Sequence, residues 1–284
     1  MTMPLVTEKK TVFLLEADVY YEYYYSESHK TRPVLVLIHG FISSSYCYRK
    51  MLPYLVKKFD CLLIDLPGFG RSGKSKGFRY SFDNYANLVL ALTKLLKIRE
   101  AILIGHSMGG QVSLYTALKD KKLVKAIVLL NSSGYLKKVK RSYYYASYLP
   151  FADRFVKWWI EKKDYEMAIR QVVYNQHIVN HDVVLEYSRP LQEKQFFRSM
   201  LYLIRDREGD LAKEQLQQIT QPCLILWGDE DRIIPLKIGR QLARDIPNNT
   251  FYCLKKTGHL TPEERPKQVI KHIFQFLKQH KVVL

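Results

Sequence analysis

With 284 residues, 47% of them hydrophobic, the chain is long enough for one substantial core with an inserted subdomain. Its net charge of +18 raises nucleic acid and anionic membrane surfaces as partners to consider. The excess is spread over the chain, at +9, +6 and +3 for residues 1–134, 135–205 and 206–284, which reads as a lysine-rich solvated surface, and no nucleic-acid motif accompanies it, so no nucleic-acid partner is expected. No apolar run reaches the ~20 residues of a membrane span. The opening MTMPLVTEKK has no apolar h-region, so the expected location is the cytoplasm.

Residues 12–27, VFLLEADVYYEYYYSE, read as an antiparallel hairpin turning around Glu16–Asp18 at the edge of a sheet. Short apolar runs then alternate with helical patterns. PVLVLIHG (33–40), CLLIDLPG (61–68), AILIGHS (101–107), AIVLLNSSG (126–134), CLILWGDED (223–231) and TFYCLKKTGH (250–259) read as strands, most of them apolar on both faces as in a buried parallel sheet. Residues 81–98 place Leu88, Leu92, Leu95 and Leu96 at helical spacing, with Ser81 as N-cap. Residues 108–120 and 236–246 also read as helices, and 266–280 starts with Pro266 in its first turn. The alternation predicts a mostly parallel, doubly wound α/β sheet. It breaks between residues 133 and 205, where no strand pattern occurs. That stretch is expected to be a helical lid, with residues 1–132 and 206–284 as the core. Of Cys47, Cys61, Cys223 and Cys253, no two form a C-x-x-C pair, so neither a zinc site nor a redox motif is expected. Cys61 and Cys223 each begin a strand and are expected to be buried.

The strands end in glycine or polar residues, and in open α/β sheets active sites form at that edge. Ser107 stands in G-x-S-x-G between a strand and a helix, the context in which such a serine is a nucleophile. Small neighbours, Gly105 and Gly109, allow a strained turn that presents the hydroxyl. The N–H of Met108 at the helix start, with a second from Phe41 in HGF (39–41), would form an oxyanion hole. His39 is expected to support that loop. Asp229, Glu230 and Asp231 in WGDEDRIIP compete for the role of acid. His259, after the last strand, completes the order Ser…Asp…His as general base.

Together HGF (39–41), DLPGFGRS (65–72), GHSMGG (105–110), WGDEDRIIP (227–235) and GHLTPEERP (258–266) make the chain resemble an α/β-hydrolase, a serine hydrolase with a helical lid of carboxylesterase type. The resemblance assigns the acid to Asp231, four residues before Pro235, and the base to His259, with Glu264 and Pro266 in the family's E-x-P positions. It implies acyl transfer through a Ser107 acyl-enzyme, on a small-molecule ester, without metal or organic cofactor. The serine sets the chain apart from branches with an aspartate nucleophile, the haloalkane dehalogenases and epoxide hydrolases. C–C bond hydrolases, thioesterases and monoacylglycerol lipases use the same triad and are the alternative readings, ahead of a basic binding protein without catalysis. The loop HGFISSS lacks the glycine–proline form found in C–C bond hydrolases.

The lid matches none of these motifs. It opens with five tyrosines among four basic residues (134–151), followed by FVKWWIEKK. This mixture suits a substrate pocket, helix packing, or weak association with an anionic membrane surface. His177 and His181 in HIVNH stand one helical turn apart, a spacing that can hold a metal, although no metal is expected. Oligomeric state is not encoded in any motif.

Overall fold

In a computed structural model, residues 5–26, 32–162 and 164–282 are described. The first four residues of the N-terminal stretch, Glu27 of the hairpin segment and Lys163 lie outside them. Eight strands, β1 (Leu5–Leu14), β2 (Ala17–Ser26), β3 (Val34–Ile38), β4 (Asp60–Ile64), β5 (Ala101–His106), β6 (Val124–Leu130), β7 (Cys223–Gly228) and β8 (Asn249–Leu254), form one sheet in the order β1-β2-β4-β3-β5-β6-β7-β8. β1 and β2 are antiparallel and β2 runs antiparallel to β4. Every other pairing is parallel. This is an α/β-hydrolase fold with an antiparallel N-terminal hairpin.

The hairpin departs from its predicted bounds. β1 begins at Leu5, and the turn is two residues, Leu15 and Glu16, both with positive φ (49° and 64°). Such a two-residue turn favours Asn-Gly, so Leu-Glu gave the sequence reading no turn signal and displaced it toward Asp18.

Twelve helices are formed by the described residues: α1 (Leu52–Leu55), α2 (Phe82–Leu95), α3 (Met108–Lys119), α4 (Arg141–Ala146), α5 (Ala152–Glu161), α6 (Tyr165–Val172), α7 (His181–Ser188), α8 (Lys194–Asp206), α9 (Lys213–Leu216), α10 (Leu236–Asp245), α11 (Thr261–Glu264) and α12 (Pro266–Gln279). Ser81 caps α2 by accepting from the Asn84 amide at 3.1 Å. Leu88 and Leu92 face the core, whereas Leu95 is exposed. Central strands β5 and β7 are buried along their whole length, and separate apolar clusters fill the two faces of the sheet. Cys61 and Cys223 lie inside these clusters as free thiols.

α4 to α8 all fall between β6 and β7. His177 sits in a 3₁₀ turn (Gln176–Ile178), and Asn180 caps α7 at His181. The cap breaks the helix that the sequence reading ran through both histidines, and no metal-ligating cluster occurs among the described residues. No described helix is long and apolar enough to cross a membrane.

Candidate functional site

The parallel strands β3, β5, β6, β7 and β8 all end on one edge, which gathers residues far apart in sequence. β5 ends at His106 and α3 starts at Met108, leaving Ser107 alone in the turn with φ 52° and ψ −119°. This is a backbone state that side chains rarely adopt and that recurs at functional sites. The chain around it is too crowded for side chains. A Cβ on Gly109 would lie 2.0 Å from the Ile38 carbonyl oxygen, and one on Gly105 would lie 2.3 Å from the Gly109 carbonyl oxygen. The glycines thus let the turn press against β3 while Ser107 stands at its crest.

After β7, the chain turns at Asp231. One carboxylate oxygen, Oδ1, accepts the amides of Ile233 and Ile234 at 2.8 and 2.9 Å. The other, Oδ2, accepts from His259 Nδ1 at 2.8 Å and from Asn131 Nδ2 at 2.6 Å. Burial acts to raise the Asp231 pKa, but the His259 contact, the Ile234 amide and Asn131 outweigh it and hold the carboxyl below its usual range. Asp229 instead lies 3.6 Å from Lys255, and Glu230 is exposed.

Two groups at this centre escaped the sequence reading. Asn131 follows β6 with φ 45° and reaches across to Asp231. Its only signal was a polar residue ending an apolar run. His106, the variable residue of G-x-S, contacts the His259 carbonyl oxygen through Nε2 at 2.9 Å, and the two rings lie 4.9 Å apart. Burial and the adjacent His259 push its pKa down to about 3, so it is neutral and donates this bond. His106 therefore couples the Ser107 turn to the His259 loop.

His39 is fully buried. Its Nδ1 donates to the Gly40 carbonyl at 2.7 Å and its Nε2 accepts from the Leu66 amide at 2.9 Å, which fastens the 39–41 loop. Phe41 packs edge-on against Phe69. Among the described residues, the amides of Phe41 and Met108 and the Ser107 hydroxyl have no protein hydrogen-bond partner.

Ser107, Met108 and Phe41 open onto a cavity of about 490 Å³. Leu136, Val139, Leu203 and Ile204 of the segment between β6 and β7 line it, as do Ile233, Ile234 and Ile238 after β7. Arg207 and Lys237 are its charged lining residues. The end of α6 is tied to the His259 loop. His259 N–H donates to the Val172 carbonyl at 2.8 Å. The Glu264 carboxylate accepts the amides of Tyr174, Asn175 and Gly258 at 2.9 to 3.0 Å.

Comparison with known proteins gives the family. The profile of the alpha/beta hydrolase fold family matches residues 33–163. An uncharacterized hydrolase, YugF of Bacillus subtilis (strain 168), is 42% identical over 92% of this chain and 94% of its own. The pimeloyl-[acyl-carrier protein] methyl ester esterase of Vibrio atlanticus (strain LGP32) is 26% identical over 80% of this chain and 87% of its own. Among solved structures, the 2-hydroxy-6-oxo-6-phenylhexa-2,4-dienoate hydrolase of Rhodococcus sp. strain RHA1 superimposes with a TM-score of 0.79. It is 18% identical and covers 97% of this chain and all of its own. The chain belongs to the alpha/beta hydrolase fold family and is a hydrolase.

Proposed function

We propose that the protein hydrolyses a small-molecule carboxylic ester through Ser107, His259 and Asp231. The observation that carries this reading is the strained Ser107 at the mouth of an apolar cavity, on the same sheet edge as a buried Asp231–His259 pair. A serine hydroxyl is a weak nucleophile until a base takes its proton. In the first step Ser107 Oγ attacks the ester carbonyl carbon while His259 Nε2 accepts the hydroxyl proton. Asp231 holds the Nδ1–H and stabilises the imidazolium. The carbonyl oxygen, now an oxyanion, takes the amides of Phe41 and Met108. Collapse breaks the C–O bond to the alcohol, which leaves with the proton from His259. Water then attacks the acyl carbon, giving a proton to His259; the bond to Ser107 Oγ breaks, His259 returns that proton to Oγ, and the carboxylic acid departs. Neither metal nor organic cofactor enters these steps.

In this reading residues 133–205 are the lid over a core of 1–132 and 206–284. Leu136, Val139, Leu203 and Ile204 line the cavity beyond Ser107, so the lid supplies much of the acyl-binding wall. That wall is apolar and favours a hydrocarbon acyl group. The test is turnover of a p-nitrophenyl ester series of increasing acyl length, run beside thioesters, together with labelling by a fluorophosphonate. Wild type is expected to be labelled at Ser107 and Ser107→Ala to be silent in both assays while keeping its circular dichroism. Turnover retained by Ser107→Ala overturns the assignment.

A further inference from the structure

The segment between β6 and β7 has one face that the catalytic reading leaves without a purpose. Tyr143, Tyr145, Leu149, Phe151, Phe155 and Trp158 are each exposed over half or more of their surface. Soluble proteins scatter such residues singly, and a contiguous group of them marks an interaction site. On α5 the pattern is helical. Phe155, Trp158 and Lys162 recur at i, i+3 and i+7 on one face, with Phe151 just before the helix in a left-handed turn, while Val156 and Ile160 on the opposite face pack against the core.

The outward face is fixed in place by α8. The Arg205 guanidinium donates to the Ser147 carbonyl and to its hydroxyl and lies over the Tyr148 ring, which anchors the end of α4. Arg198 binds Asp153 at 3.1 Å and anchors the start of α5. Asp153 lies on the same side of α5 as Val156 and Ile160, so the side of Phe155 and Trp158 is turned to solvent.

Charge identifies the occupant. Lys137, Lys138, Lys140 and Arg141, all exposed, lead into α4, and no acidic residue occurs between Gly134 and Ala152. On α5, Asp153 is committed to Arg198 and Glu161 to Lys157. Lys162 lies 3.9 Å from the centre of the Trp158 ring and Arg154 4.8 Å from that of Phe151. Cations mounted directly on exposed aromatic rings match the layer where anionic headgroups meet acyl chains. We propose that α4 and α5 dock the protein on an anionic lipid bilayer, lying in the headgroup layer with Phe151, Phe155 and Trp158 inserted. Leu136 and Val139, just before α4, line the cavity, so docking places the cavity beside the membrane. The docking itself does not depend on the chemistry at Ser107.

The test is cosedimentation of the full chain with vesicles of equimolar phosphatidylglycerol and phosphatidylcholine, and with phosphatidylcholine alone. Two variants are compared with wild type: F155S/W158S, and Lys138→Glu with Lys140→Glu. None of these side chains lines the cavity or contacts Ser107, so melting temperature serves as the control for folding. Wild type is expected to bind the anionic vesicles at low salt and to release as salt rises. F155S/W158S is expected to bind about tenfold more weakly or worse, from the apolar area withdrawn. The charge-reversal variant is expected to lose the preference for anionic lipid. Absence of wild-type binding at low salt overturns the proposal, as does equal binding by F155S/W158S. A concentration-dependent dimer that F155S/W158S abolishes, without vesicle binding, assigns the face to a second copy and overturns it as well.

Discussion

The sheet and the helices inserted between β6 and β7 handle apolar residues in opposite ways. In β5 and β7 every residue is buried, and Trp227, at the end of β7, is fully enclosed with its indole N–H donating to the Ile234 carbonyl at 3.0 Å. On α5, Trp158 is half exposed and carries a lysine on its ring. The same residue type closes a core in one region and forms an outer surface in the other. The lesson is that hydrophobic content does not report burial. The partner of each apolar face must be found before the face is counted toward stability.

Variants at the edge of the core should give the largest effects. Asp231→Asn removes the charge that faces His259. We expect esterase kcat to fall about 10⁴-fold, measured with a p-nitrophenyl ester, whereas Asp229→Asn should change it little. A larger loss from Asp229→Asn would move the acid to the wrong side of that turn.

Next come the two tryptophans. Trp227→Ala should cost about 3–5 kcal/mol by chemical denaturation, since it empties a closed site and strands a carbonyl. Trp158→Ser should stay within about 0.5 kcal/mol of wild type. A substantial loss from Trp158→Ser would mean that the outer face is packed in solution and would erase the contrast between the regions.

A smaller effect is expected where the regions meet. Asp210 accepts the Leu136 amide, and burial pushes its carboxyl up to about 6. A raised carboxyl pKa means that the folded state holds a proton the unfolded chain has released. This contribution to stability is therefore present below the unfolded carboxylate range and is lost as pH rises through about 6. Asp210→Asn should flatten that slope between pH 4 and 6 and change stability by no more than about 3 kcal/mol. Thermal melts across that range would measure it, and an unchanged slope would free Asp210 from this role.

Much of the fold was legible because buried parallel strands read as apolar runs, and Ser107, Asp231 and His259 each follow one of them. The hairpin turn was not, because Leu15 and Glu16 adopt positive φ without the residues that favour it. The three neighbouring acids could be told apart only by family resemblance. In the structure the difference is geometric: amides of Ile233 and Ile234 orient Asp231 so that Oδ2 faces His259, while Asp229 turns toward Lys255. Asn131 and His106 were missed because their partners are about 100 and 153 positions away, and only the strand order brings them together. The outward aromatic face was present in the composition but not in its orientation, which Arg198 and Arg205 set from another helix.

The bond from His259 to Val172, with the grip of Glu264 on Tyr174, Asn175 and Gly258, divides the insertion for anyone who would transplant it. Before Val172 the chain carries the outward aromatic face and the cavity residues Leu136 and Val139, so an exchange there alters what the protein meets. The stretch Val172–Asn175 shares its main-chain bonds with the histidine loop, so a graft that cuts through it brings in a new surface and dislodges the imidazole together.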